Sequence, residues 1–372
     1  MLTWRRRPFY DLSIESNKGA REDCALRFEG ELMMVFRRAM AVAIALMVSA
    51  TLAASGVAAQ QAPKKDEKKR SKQEQAEIET LVKTVDGVMA GQPVPGDITM
   101  SIEPFFMKSQ EARTFVPMVI SLNNAPKVDS ALYIRVVNPA AVPDPKAKKV
   151  EYPWDDIHFV PAAQLADEVV KLNRVFMATA GTYDVYIGFK ERLPEKAPKN
   201  TVAKMGVLKT QVTVPDFYNA ELNTSTILVA EKVNMLTAAI GPEEARERPF
   251  VFGAQELLPA PDMEFKKVDE LSIFFQVYNS GLDAGGKPDL TLEYEFHKTE
   301  AGAEKFFNKT SPQVVNASML PPQFDPAKFP VPGGVSVPLA SFGEGQYRLA
   351  IKITDKAANK TLTRDVKFTI KG

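Results

Sequence analysis

The sequence predicts a mainly β protein made of two tandem β-sandwiches, and three observations predict it. From residue 97 to the C-terminus, short runs rich in Val, Ile, Phe and Tyr recur with a period of two between clusters of Asn, Asp, Pro and Lys, the pattern of half-buried strands. One strand pattern occurs twice, at 181–191 and at 345–355. Proline is frequent, and no long core helix interrupts the strands. The 372 residues leave room for about two domains of ordinary size. With 45% hydrophobic and 25% charged residues and a formal net charge of +1, the chain is neither a disulfide-rich miniprotein, a collagen repeat nor a polytopic membrane protein. A general nucleic-acid binder would carry a basic excess that is missing here.

Met33-Met34-Val35-Phe36-Arg37-Arg38 precedes an apolar run over 39–48 that continues in small residues to Ala59. A basic start, an apolar core and Val57-Ala58-Ala59 before Gln60 predict an export signal over 34–59, cleaved between Ala59 and Gln60. The expected destination is the periplasm or the extracellular space. The alternative is a retained anchor, but the apolar core falls short of the about 20 residues a spanning helix needs, so no stable membrane span is expected after cleavage. Residues 1–33 precede the signal and read as a gene-model extension, with translation starting at Met33 or Met34. Residues 1–59 hold eight basic and six acidic side chains, so the mature chain carries 39 and 40. Cys24 is removed with them, which leaves no disulfide, thiol nucleophile or thiolate metal site.

The elements follow in order. Lys64-Lys65-Asp66-Glu67-Lys68-Lys69-Arg70 makes 60–72 a solvated charged linker. Ile78, Leu81, Val82, Val85, Val88 and Met89 fall on one helical stripe, which predicts an amphipathic helix over 73–91, ended by Gly91 and Pro93. Two roles fit it: docking to a partner or oligomerising, or packing on its own domain, the plainer and preferred one. Strands are expected at 97–103, 115–123 and 131–137. The runs 175–180 and 182–190 read as a strand pair with Gly181 at the turn; Tyr183, Val185, Ile187 and Phe189 face one way and Asp184, Tyr186, Gly188 and Lys190 the other. The run 207–214 closes the first sandwich, 96–215. The second, 216–372, has a nearly continuous apolar run at 271–279, suited to a central strand. In 290–297, Leu290, Leu292, Tyr294 and Phe296 alternate with Thr291, Glu293, Glu295 and His297. The proline-rich 312–338 reads as loop, edge strand and connection.

The twice-used pattern is Gly-x-Tyr-x-(Val/Leu)-x-Ile-x-(Phe/Ile)-x-acid, and an alternating strand follows each copy, at 207–214 and 362–370. Its tyrosines, Tyr183 and Tyr347, resemble the tyrosine corner of immunoglobulin-like sandwiches, whose phenol bonds back to upstream backbone. The expected architecture is therefore two tandem immunoglobulin/fibronectin-III-like β-sandwich domains behind a signal peptide and one amphipathic helix. The runs Leu271-Ser272-Ile273-Phe274-Phe275-Gln276-Val277-Tyr278-Asn279, 290–298 and 345–355 are similar to the sandwich regions of large exported bacterial proteins called GWxTD-domain proteins. This resemblance covers about a third of the chain and implies fold and export. It transfers no active-site residue, since Gly-Trp-x-Thr-Asp is absent and the tryptophans are Trp4 and Trp154.

Sites for chemistry are sparse. The two histidines are His158 and His297. The alternation turns His297 to solvent. His158 lies in Trp154-Asp155-Asp156-Ile157-His158-Phe159, read as a loop with Trp154 packed on the sandwich. One histidine and two carboxylates make at most part of a zinc site, and no Asp-x-Asp-x-Asp spacing supports calcium, so no metal or other cofactor is expected. The segment 281–287 resembles a phosphate loop but leads into Pro288 and a strand, which predicts a hairpin loop instead. Residues 243–248 predict a short charged helix or loop held by its own opposite charges. Without nucleophile elbow, Ser-x-x-Lys, zinc-protease or Walker motifs, the expectation is a protein without a catalytic residue. It would be a protein-binding adaptor or structural spacer with an envelope or extracellular protein as partner, and no nucleic-acid partner. Trp154, Asp155, Asp156, His158 and Tyr186 are the candidate ligand-binding residues. They serve two alternatives: a carbohydrate-binding module using Trp154 and Tyr186, and a hydrolase with a carboxylate or calcium site near 154–159.

Overall fold

In the computed structural model, residues 70–109, 111–141, 150–194, 196–198 and 200–372 are described. The extension, the export signal and its cleavage point at Ala59 and Gln60 lie outside them, as does most of the charged linker. The first element is helix α1, Lys72–Met89, close to the expected 73–91. Ser71 caps it: its hydroxyl accepts from the Glu74 amide at 3.1 Å while the Glu74 carboxylate accepts from the Ser71 amide at 2.9 Å, a reciprocal capping box. Gly91 ends it in the left-handed region, at φ +91°.

Next come β1 (Thr99–Pro104), β2 (Met107–Lys108), β3 (Thr114–Asn123), β4 (Ser130–Val137), β5 (Trp154–Val160), β6 (Val169–Ala178), β7 (Gly181–Glu191) and β8 (Met205–Val214). In one sheet β3 lies between β1 and β2 on one side and β6 on the other; the second sheet runs β5-β4-β7-β8. Val116, Met118, Ile120 and Leu122 of β3 meet Leu132, Ile134, Val136, Val185, Ile187 and Phe189 across the interior. The strand pair expected at Gly181 does not form. β6 pairs with β3, whereas β7 pairs with β4 and β8, so Gly181 turns a corner between sheets. Likewise 154–160 is strand β5 and not a loop: it is an edge strand, and its polar residues imitate loop composition.

The second set is β9 (Asn223–Thr224), β10 (Leu228–Met235), helix α2 (Pro242–Glu247), β11 (Val251–Phe252), β12 (Gln255–Pro259), β13 (Glu264–Lys266), β14 (Glu270–Tyr278), β15 (Leu290–Glu300), β16 (Ala303–Lys309), β17 (Gln313–Val315), β18 (Val331–Pro338), β19 (Gly345–Asp355) and β20 (Lys360–Lys371). One sheet runs β11-β12-β10-β14-β18 and the other β13-β20-β19-β15-β16. The shared order is evident: β10-β14-β18 repeats β1-β3-β6, and β16-β15-β19-β20 repeats β5-β4-β7-β8. The strands up to β8 and those from β9 pair among themselves. The protein is thus built of immunoglobulin/fibronectin-III-like β-sandwiches.

Segment 281–287 joins β14 to β15, which belong to different sheets, so it is an inter-sheet loop and not the expected hairpin. Asp283 folds it, its carboxylate accepting from the Gly285 and Lys287 amides at 2.8 and 2.9 Å. Within 312–338, β18 is an edge strand as expected, yet 331–335 are buried. Its glycines explain how. A Cβ at Gly333 would stand 2.5 Å from the Phe275 ring, and one at Gly334 2.5 Å from the Ile273 carbonyl oxygen. The bare backbone also lets the buried Tyr294 hydroxyl donate to the Gly334 carbonyl at 3.2 Å.

Candidate functional site

Successive strand residues point to opposite faces, and on β5 this divides the predicted ligand set. Trp154 is half-buried and packs on the interior of the first sandwich. Asp156 and His158 share its side of the strand, with Asp156 Oδ2 3.5 Å from His158 Nε2. Asp155 points the other way, its carboxylate 3.9 Å from Arg135 Nε. Two neighbouring carboxylates on opposite faces of a strand cannot close on one ion. Among the described residues, no group of three or more His, Cys, Asp or Glu side chains is placed to hold a metal. His297 stands on the outer face of β15, as the alternation requires, but half-buried: its ring meets Phe306 edge-on at 6.2 Å.

Tyr186 does point outward from its sandwich, but α1 covers it, leaving 4% of its surface exposed. It is therefore no platform for a sugar. The outer face of this sheet consists of cross-strand rows: Asp155, Arg135, Tyr186 and Lys209; then Ile157, Tyr133, Gly188 and Val207; then Phe159, Ala131, Lys190 and Met205. Leu81, Val85 and Val88 of α1 pack on Ala131, Tyr133, Tyr186 and Val207. Gly188 lies at the centre, where a Cβ would come within 3.2 Å of Leu81 and 3.3 Å of Val85. At the ends, Glu77 pairs with Lys190 and Asp86 with Arg135. The match is metric: four residues along a strand span about 13 Å, and the nine residues from Glu77 to Asp86 rise about 13.5 Å. Burial works against the Arg135 charge, but Asp86, the two tyrosines Tyr133 and Tyr152, and Asp155 outweigh it and hold the guanidinium above its usual range. Burial chiefly, with Asp155, pushes the Tyr133 phenol up. The sequence reading missed Arg135, Lys190, Glu77 and Asp86. Glu77 was detectable, since it falls on the stripe of Leu81, Val85 and Val88.

The tyrosine corners have the same bond in both copies. Tyr183 donates to the Thr179 carbonyl at 3.1 Å, and Tyr347 to the Gly343 carbonyl at 2.8 Å.

A second constellation joins the two sets of strands. The Phe106 amide donates to Thr226 Oγ1 at 2.9 Å, and the Thr226 amide returns to the Phe106 carbonyl at 3.0 Å. The Lys108 amide donates to the Tyr278 hydroxyl at 3.0 Å, and its ammonium to Asn279 Oδ1 at 2.8 Å. Tyr218 bonds to the Ser109 carbonyl at 2.7 Å, and the Phe105 and Phe250 rings meet edge to face at 5.2 Å. Beside α2, Arg174 of β6 is 1% exposed. Its Nη1 donates to the Asn173 carbonyl at 2.7 Å. Burial pulls its guanidinium below the usual range, against the opposing pull of Glu247 and Asp156. Arg248, just after α2, reaches back to Glu244 and forward to Glu256 at 2.8 Å. The charged segment is therefore the expected short helix, but tied also to β12.

No protein-family model matches the chain. No curated protein matches it either. Among solved structures, trypsin-activated α2-macroglobulin from Escherichia coli is similar at 10% identity and a TM-score of 0.22, over 75% of this chain and 17% of that one. Salmonella α2-macroglobulin reacted with methylamine is similar at 10% identity and a TM-score of 0.20, over 74% of this chain and 15% of that one. The chain thus spans about a sixth of the length of either. Likeness of that depth says nothing about function, and the fold rests on the sheets described above.

Proposed function

We propose that this is an exported, non-catalytic β-sandwich protein that acts in the cell envelope as a protein-binding adaptor or structural spacer. The observation that carries the reading is the bonded junction around Phe106, Lys108, Tyr218, Thr226 and Tyr278. A spacer has to hold its two ends in a fixed relation, and here main-chain groups are tied across the join between the domains proposed at 96–215 and 216–372. The export pattern at 34–59 and the similarity to sandwich regions of exported GWxTD-domain proteins support the location. No helix among the described residues is long and apolar enough to cross a membrane.

Affinity capture from the native envelope, with a tag at the C-terminus of the chain that starts at Gln60, tests the reading. It predicts a stoichiometric partner that recurs between preparations. Empty capture with folded bait would count against it. N-terminal sequencing of the protein recovered outside the cytoplasm should begin at Gln60, and a start within 1–33 would contradict cleavage of an export signal.

A further inference from the structure

The face under α1 has the composition of an interface. A sheet face meant for permanent burial is filled with apolar side chains, because burying an ion pair brings back little more than it costs in desolvation. Here Arg135 and Lys190 are 3% and 7% exposed; the helix supplies Glu77 to Lys190 and Asp86 to Arg135, which also keeps Asp155 of its own sheet at 3.9 Å. Undocking would let the two cations and the Glu77 carboxylate regain water, while Asp86 is already half-exposed. The helix has less freedom: 18 residues with a moderate apolar stripe are marginal as an isolated helix in water, so α1 persists where such a face receives it. Between its end and the point where Pro95 and Asp97 bond to β8 lie residues 90–94, including Gly91 and Pro93. Five extended residues reach at most about 17 Å.

We propose that α1 is an exchangeable occupant of this face and that two copies of the chain trade helices to form a reciprocal dimer. A second copy's α1 fits by construction, presenting carboxylates to Arg135 and Lys190 and Leu81, Val85 and Val88 to the row of Gly188. Exchange keeps the contacts between helix and sheet and changes the path of residues 90–94, whose amides cap the end of the helix, which is why swapping is a low-cost route to a symmetric dimer. The short tether gives the internal helix an effective concentration in the millimolar range, so the monomer prevails when dilute and the dimer at high concentration or when tethered side by side. The inference does not depend on export or on the spacer reading.

The chain from Gln60 has no cysteine, so a disulfide reports the helix's owner. Val85→Cys with Gly188→Cys places the two sulfurs within bonding reach, since a Cβ at 188 lies 3.3 Å from Val85 Cγ2. Oxidised over a concentration series, this variant should give covalent dimer whose share rises several-fold towards the millimolar range, while each single-cysteine variant does not reproduce that rise. Internally bridged monomer at every concentration would overturn the proposal. If the double variant melts well below the parent, the unmodified chain decides: two tagged forms, unfolded and refolded together at high concentration, should co-purify through either tag. Tags that never co-purify would overturn it equally.

Discussion

At the residue scale, the pair Glu77–Lys190 and the glycines decide more than any candidate ligand does. Lys190→Met leaves the Glu77 carboxylate, 8% exposed, without its cation, and should cost about 3–5 kcal/mol. Glu77→Leu with Lys190→Met removes both charges and should recover most of that loss. Urea unfolding of the three proteins checks this, and equal destabilisation in single and double variants would show that the charges do not act as a pair. Gly333→Ala forces a methyl into the Phe275 ring and should cost about 1–3 kcal/mol, read from the same curves. Neither site announces itself in the sequence. A lysine at the end of an alternating strand looks solvent-facing, and a Gly-Gly among prolines looks like a loop. Their roles depend on which element lies above them.

At the scale of elements, the sequence revealed periodicity and concealed partnership. The run from Leu290 was legible because one face meets the core and the other water. The run 131–137 carries no alternation, because the sandwich covers one side and α1 the other, so the role of its arginine was not legible without Asp86 over it. Which sheet a strand joins was not legible at all: Gly181 and 281–287 read as hairpins, because a turn's local chemistry does not distinguish a hairpin from a crossing between sheets. The helix stripe was legible, and so was its cap in retrospect. Ser71→Ala removes one half of the capping box and should cost about 0.5–2 kcal/mol, visible as a lowered melting temperature. Farther along, Arg248 holds the Glu256 carboxyl below its usual range. A depressed folded value means the unfolded chain binds the proton more readily. The stabilisation is present above the ordinary carboxylate range and disappears as pH falls through the folded value, and Glu256→Gln should lessen that acid dependence in pH-resolved melting curves.

At the scale of the molecule, the two sets of strands repeat one order of connection, and the repeated Gly-x-Tyr hairpin marked that repeat in the sequence. What it could not mark is the junction, because Lys108 and Tyr278 of the strands and Phe106 and Thr226 of the connections between strands are ordinary residues until they meet. The absence of cysteine after Cys24 permits a direct test of whether the junction is rigid. Spin labels on Lys171→Cys and Thr363→Cys, exposed positions on β6 and β20, report the distance between the sandwiches in frozen solution by pulsed electron resonance. The account predicts one narrow distance distribution, widened when Thr226→Val and Tyr278→Phe are introduced together. A broad or multiple distribution in the otherwise unmodified chain would contradict a fixed junction, and with it the spacer reading.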